Sequence, residues 1–359
     1  MLKPGQAVLL AMTFLLPGSV RQGSQAAPEL PYRLTSINDR ITAIQYGRFE
    51  DKSAMTVITT KRGLIVIDTG LTSFFAEQMK AKFPALFGRA EVLYVINTHS
   101  HFDHTGGNQA FPGAVIVGHD HVVPALRRFA EGKDAFIAGR TASIVRLEES
   151  LAGKDPASEE AEAVSERIGM EKLFVRDLKT RYIMTPPTRT FKDRLTLKAD
   201  DLTIKLYHYS ACFSGPPQRH TDNDILVHVP ELGALFVGDA LFVSEGSLAP
   251  VPEPDDYPCW LALFDEVLKD PVHRIIGGHL DPRMGGGDIL RALHRYWKEL
   301  YASAGQAGSS FEEFRAQNAL EKEYEFLGNF FDLDSRTVRE QHEVILNKVW
   351  RAKPNGPHP

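Results

Sequence analysis

In the stretch Thr98-His99-Ser100-His101-Phe102-Asp103-His104-Thr105-Gly106-Gly107-Asn108, three imidazoles and a carboxylate lie between positions 99 and 104. Imidazole nitrogen and carboxylate oxygen are the donors that zinc and its first-row neighbours take. In extended backbone, side chains two apart point the same way, so His99 and His101 would project to one side. Asp103 and His104 follow where the chain bends away. Such a cluster has donors enough to hold two metals side by side. The apolar run Val92 to Ile96 precedes it and reads as the strand that delivers these ligands.

Further ionisable residues close other apolar runs. Asp68 ends Gly63-Leu64-Ile65-Val66-Ile67 and is followed by Thr69-Gly70. His220 opens His220-Thr221-Asp222-Asn223-Asp224, just before Ile225-Leu226-Val227. Asp239 ends Phe236-Val237-Gly238-Asp239, and His279 ends Ile275-Ile276-Gly277-Gly278-His279. Ligands at the carboxyl ends of strands are what layered α/β folds use for chemistry.

His-x-His-x-Asp-His followed by Thr-Gly-Gly-Asn, with these later motifs in order, resembles the signature of the metallo-β-lactamase superfamily over roughly residues 33 to 285. The resemblance implies an α/β fold of the αβ/βα four-layer sandwich type: two mixed sheets face to face, helices on both outer faces, metals at one edge of the sheets. It implies that His99, His101 and His220 hold a first metal, that Asp103, His104 and His279 hold a second, and that Asp239 bridges them. Asp68 resembles the position that supports the ligand loops through a hydrogen bond to a metal-binding histidine. The expected cofactor is a pair of Zn2+ ions, with iron or manganese as other occupants of such a ligand set. Metal binding lowers the pKa of water towards ~7, so a metal-bound hydroxide is the expected nucleophile. Asp103 would orient it and then move its proton.

Asp239 narrows the reading. Familiar β-lactamases of the superfamily carry Cys or Ser there, whereas an aspartate resembles the glyoxalase-II-type thioesterases, lactonases and phosphodiesterases. The expectation is an exported dinuclear-zinc hydrolase of a small ester, lactone, thioester or amide. A β-lactam-opening enzyme is the alternative, then a phosphodiesterase, then an iron-dependent oxidoreductase. The net charge of −5 argues against nucleic acid as a partner; the expected partner is a small-molecule substrate. Arg219, Asn223, Tyr257 and Trp260 are candidates for substrate contact from their places near strand-end loops. Ala211 to Arg219 is longer and richer in proline than the short turn expected before His220. His119 and His121 form a second His-x-His, read as a polar strand-to-helix loop with an auxiliary site as the other reading. His208, His228, His273, His294 and His342 are read as structural or exposed.

The elements that must position these residues are legible in outline. Residues 33 to 70 alternate apolar runs and turns as a β-meander does. Phe74, Phe75, Met79, Phe83 and Leu86 have helical spacing over 73–87. Ala114 to Val117 and the runs around Leu195 and Leu202 read as further strands. Residues 120 to 190 are taken as a helical insertion broken at Gly153 and Asp155-Pro156, either a lid or a solvated hairpin. The helical extension 286–352 carries the stripe Ile289, Leu290, Leu293, Tyr296, Trp297, Leu300 and Tyr301. In it Ser310-Phe311-Glu312-Glu313 has capping-box form, Asp334 can cap a last helix, and the extension leaves room for a homodimer. Residues 353–359 are read as a disordered tail.

The 359-residue chain is ordinary in composition, with 43% hydrophobic and 24% charged residues. Residues 1–26 read as a secretory signal: Lys3, an apolar stretch Ala7 to Leu16, then Ser24-Gln25-Ala26 before a cleavage point at Ala27. The stretch is too short to span a bilayer, so no stable anchor is expected after cleavage, and the mature domain would begin at 27 and reach about 285. The expected location is periplasmic or secreted, where a disulfide between Cys212 and Cys259 is chemically allowed but not fixed by the sequence.

Overall fold

A computed structural model of the chain describes residues 30–46, 54–208, 220–244, 247–250, 257–279, 286–306, 310–320 and 335–353. The segments read above as a signal and as a tail after residue 353, the proline-rich segment before His220, and Asp334 lie outside the described residues.

Two sheets form the centre. The first has seven strands in chain order: β1 (Tyr32–Asn38), β2 (Ile41–Tyr46), β3 (Ala54–Thr59), β4 (Leu64–Ile67), β5 (Val92–Ile96), β6 (Val115–His119) and β7 (Arg189–Phe191). The meander β1–β4 is antiparallel, and the pairs from β4 to β7 are parallel. The second sheet contains β8 (Arg194–Ala199), β9 (Leu202–Tyr207), β10 (Leu226–Val229), β11 (Ala234–Gly238) and β14 (Arg274–Gly277), in the order β14-β11-β10-β9-β8. A separate hairpin pairs β12 (Leu241–Ser244) with β13 (Ser247–Pro250). All four residues of β4 are buried, as are all four of β10. Strands covered on both faces read as unbroken apolar runs rather than as alternation.

The layers follow from which side chains pack together. Ile41, Ile65, Ile67, Ile96 and Val117 of the first sheet meet Leu197, Ile204, Leu206, Val227, Phe236 and Ile276 of the second. The opposite face of the first sheet buries Val57, Val66 and Val95 against α1 (Ser73–Phe87) through Phe75, Met79 and Phe83. The outer face of the second sheet is covered by α5 (Tyr257–Val267), α6 (Gly287–Gln306), α7 (Phe311–Gln317) and α8 (Ser335–Ala352). This is the αβ/βα sandwich. Ser310 caps α7 by accepting from the Glu313 amide, as the capping-box pattern predicts. No helix of the described residues is long and apolar enough to cross a membrane.

The region read as an insertion forms α3 (Val122–Ala152) and α4 (Glu159–Thr180), separated around Gly153. Their contact buries Ile137, Ile144, Ile168 and Phe174, and Phe102 joins this cluster from the ligand segment. Asp177 ties α4 to the start of α1: its carboxylate accepts from the Ser73 amide at 2.9 Å and the Ser73 hydroxyl at 2.8 Å. Cys259 in α5 is disulfide-bonded; the only other cysteine of the sequence, Cys212, lies outside the described residues.

The two sheets are fastened together at the end away from the β4 and β5 carboxyl termini. Asp201, in the β8–β9 turn, takes both terminal nitrogens of Arg40 at 2.8 and 3.1 Å, and also the Lys61 amide. Asp200 takes the Arg62 amide and side chain. Bidentate pairs add geometric definition to their charge, so the opposite edge, where β4, β5, β11 and β14 end, opens on a fixed frame.

Candidate metal centre

Asp68 follows β4 with φ of 57°, a left-handed conformation uncommon for any residue but glycine and tolerated best by Asp and Asn. Its amide bonds to Ile96 at the end of β5. The bend turns the carboxylate back under the next loop. One oxygen accepts from the Thr98 amide at 2.8 Å; the other accepts from the Thr98 hydroxyl at 2.7 Å and faces His104 Nδ1 at 2.8 Å. A carboxylate only accepts, so His104 carries its proton on Nδ1 and turns Nε2 away from Asp68. Burial pushes the Asp68 carboxyl up, and His104 and Thr98 only partly offset this.

Asn97 and Asn108 bridge the two ends of the ligand loop by reciprocal amide bonds of 3.0 and 2.9 Å. Between them His101 starts the single-turn helix α2 (Phe102–Thr105). Gly107 passes so close to Thr69 that a Cβ would lie 2.3 Å from the Thr69 carbonyl, which accounts for the small residues of the Thr-Gly-Gly run. From the second sheet, Asp239 leaves β11 at Gly238, whose φ is 51° and whose Cβ would strike Thr98. Gly278 follows β14 and leads to His279. A Cβ on Gly278 would sit 2.4 Å from Asp239 Oδ1 and 2.8 Å from His104 Cε1, so the backbone needs glycine to approach that closely.

These elements gather all seven expected ligand residues. His99, His101, His220 and Asp239 offer one ligand atom each within 4.8 Å of one another, and so do Asp103, His104 and His279. Asp239 Oδ2 stands 3.4 Å from His220 Nε2 and 3.2 Å from His279 Nε2, while Oδ1 is 3.5 Å from His104 Nε2. It therefore touches both groups, as a bridge would. Asp103 Oδ2 lies 3.1 Å from His279 Nε2 and 3.4 Å from His104 Nε2.

The buried polar atoms show what would fit. His99 is fully buried, yet its Nε2 has no hydrogen-bond partner, and neither has Asp239 Oδ1. Orphaned buried polar atoms are rare and costly, and here they face a cluster of nitrogen and oxygen donors that a divalent cation satisfies. The field agrees. Burial opposes charge on Asp103 and Asp239, but His104 and His279 outweigh it and hold both carboxyls well below the usual range. Against burial, Asp239, Asp103 and Asp68 raise His104 well above its ordinary value, and Asp103 and Asp239 raise His279 to about 9. Burial, with His104 beside it, keeps His99 well below; burial and His220 lower His101. The centre therefore attracts positive charge while keeping two imidazoles neutral, the form in which they bind metal.

The substrate-contact candidates fare unevenly. Trp260 is 3% exposed and packs on Phe264 and Trp297 in the outer helical layer; it is a core residue, because its helix turns that face inward. Asn223 is buried at 1%, with its amide nitrogen donating to Asp222. The Tyr257 side chain and Arg219 lie outside the described residues. His119 ends β6, buried and stacked on His208 with ring centroids 3.7 Å apart, whereas His121 is exposed in the turn that leads into α3, so this His-x-His lies across the strand-to-helix connection, with its first imidazole packed inside.

Sequence reasoning missed Asp224 and Thr98. Asp224 Oδ1 faces His220 Nδ1 at 3.0 Å, while Oδ2 takes the Thr221 amide and hydroxyl at 2.8 and 2.6 Å. The available signal was the acid four residues after His220, behind a threonine.

A family model described as the metallo-β-lactamase superfamily matches residues 48–190, which include His99, His101, Asp103 and His104. No curated protein sequence matches. Among solved structures, the stereoselective inverting sec-alkylsulfatase Pisa1 from Pseudomonas sp. is similar over 91% of this chain, at 16% identity and TM-score 0.50. The chain covers 51% of that alkylsulfatase's length. A metallo-β-lactamase from Pontibacter korlensis is similar over 75% of this chain and 99% of its own, at 17% identity and TM-score 0.47. One from Hirschia baltica is similar over 74% and 97%, at 14% identity and TM-score 0.43. The chain is thus similar to the metallo-β-lactamase superfamily over residues 48–190, and the ligand cluster assembled on this frame is one that a metal-dependent hydrolase uses.

Proposed function

We propose that the protein is an exported two-zinc hydrolase of small esters, lactones, thioesters or amides. The observation that carries this reading is the pair of adjoining donor groups that share Asp239, with His99 Nε2 and Asp239 Oδ1 buried and unpartnered between them. His99, His101 and His220 would hold one ion, Asp103, His104 and His279 the other. When bound, such ions supply an acidified water and a Lewis acid for the scissile group. The remaining chemistry belongs to the chain. Asp103, with its side chain 31% exposed, is the most open carboxylate of the cluster. Held ionised by His104 and His279, it accepts a hydrogen bond from the attacking water and orients it, and would relay the proton that this water gives up to the leaving group. Asp68 holds His104 with Nε2 facing the centre, and α2 keeps Asp103 and His104 on one turn.

Export rests on the N-terminal signal pattern of the sequence. A second reading, sulfate ester hydrolysis, takes its support from the likeness to an alkylsulfatase along 91% of the chain. The test is turnover by the zinc-loaded protein of an aryl ester, a lactone, a thioester, a cephalosporin, an aryl phosphodiester and an alkyl sulfate, with Asp103→Ala as control. Turnover of a carboxylic substrate that the control loses supports the first reading, and turnover of the sulfate alone replaces it with the second. Activity restored only by iron, with consumption of oxygen, would refute both.

A further inference from the structure

Two buried carboxylates stand behind the histidines, and their reach differs. Asp68 touches His104 directly. It also takes the only proton of the Thr98 hydroxyl, so that oxygen, 3.1 Å from His99 Nδ1, is left to accept from the imidazole. Asp68 thereby orients one histidine in each donor group. Asp224 is 1% exposed and sits 3.0 Å from His220 Nδ1. Its distance to His99 Nδ1 is 3.8 Å, beyond a hydrogen bond. Its other oxygen is engaged by Thr221, which fixes the carboxylate against rotation. Among the described residues, the hydrogen bonds of the Asp224 carboxylate reach no member of the group Asp103, His104 and His279.

We propose that Asp224 is the positioning residue of the first metal pocket alone, setting His220 with Nε2 inward, whereas Asp68 underlies both pockets. The inference rests on the two-metal reading given above. A carboxylate behind a ligating histidine fixes its tautomer and ring orientation, and losing such a partner typically costs ~10–100-fold in metal affinity. Here that loss falls on one ion and spares the other, so the two sites become separable by mutation.

The test is a Co2+ titration of the chelator-stripped full-length protein, read by equilibrium dialysis and visible absorption, for the wild type, Asp224→Asn and Asp68→Asn. The wild type is expected to bind two ions. Asp224→Asn should bind one at wild-type affinity and the other about 10–100-fold more weakly; Asp68→Asn should weaken both. Adding His279→Ala to Asp224→Asn should remove the remaining tight site, and adding His101→Ala should not. Equal weakening of both ions in Asp224→Asn, or of neither, overturns the assignment while leaving the metal reading intact. A wild type that binds no Co2+ overturns the metal reading and this inference with it. A measurement independent of variant folding is the imidazole 15N spectrum of the zinc-loaded wild type. His220 should carry its proton on Nδ1; a proton on Nε2 overturns the proposal.

Discussion

Asp68→Asn separates the two roles of Asp68, as acceptor and as a strained backbone hinge. Asparagine tolerates the left-handed conformation at φ 57° about as well as aspartate, so the substitution leaves the bend and changes the acceptors. The amide oxygen can keep the Thr98 amide at 2.8 Å, but the amide nitrogen then faces the Thr98 hydroxyl and His104 Nδ1, which now hold acceptors of 2.7 and 2.8 Å. Two buried contacts are lost or inverted. At about 1–3 kcal/mol for each unsatisfied buried group, and allowing for rotation of the hydroxyl, the metal-free protein should lose about 2–4 kcal/mol. Asp68→Ala should lose more, since alanine adds about 1–2 kcal/mol of left-handed strain. Asp68→Gly, free of that strain, should be at least as stable as Asp68→Ala, the reverse of the usual order. The assay is denaturant unfolding with chelator present. An asparagine variant within about 0.5 kcal/mol of the wild type, or an alanine variant clearly more stable than the glycine one, would refute the reasoning.

Other consequences follow from particular contacts. Gly278→Ala places a methyl 2.4 Å from Asp239 Oδ1 and 2.8 Å from His104 Cε1; it should cost about 1–3 kcal/mol by overpacking and lower metal occupancy, read by unfolding and metal analysis of the dialysed variant. Asp177→Ala strands the Ser73 amide and hydroxyl; it should cost about 2 kcal/mol or more and increase proteolysis of the α3–α4 hairpin. Burial and the adjacent His208 hold His119 at about 4, with Asp120 and His121 beside it. The folded state then resists a proton that the unfolded state accepts near pH 6.5, so stability falls as pH drops from about 6.5 towards 4. His119→Gln should flatten that slope in unfolding measured across the range, and an unchanged slope would assign it elsewhere.

The donor cluster was legible because its chemistry is local: four ligand residues share one strand end, and strand alternation aims two of them together. The α1 helix was legible for the same reason, its periodicity filling the groove on the first sheet. What the sequence concealed is non-local or directional. The Arg40–Asp201 clamp joins residues 161 positions apart, and no pattern in either segment announces it. Trp260 lies near a strand-end loop in sequence, yet the rotation of α5 takes it to the core. Asp224 stands close to His220 in sequence, but its role depends on the turn through Thr221, which spacing alone does not define.

The central claim is a two-metal centre shared through Asp239. Its most direct test is anomalous scattering at the zinc edge from crystals of the zinc-loaded protein. The account predicts two peaks, one among His99, His101 and His220 and one among Asp103, His104 and His279, with the Asp239 carboxylate between them. A single peak, or none in either group, would contradict it.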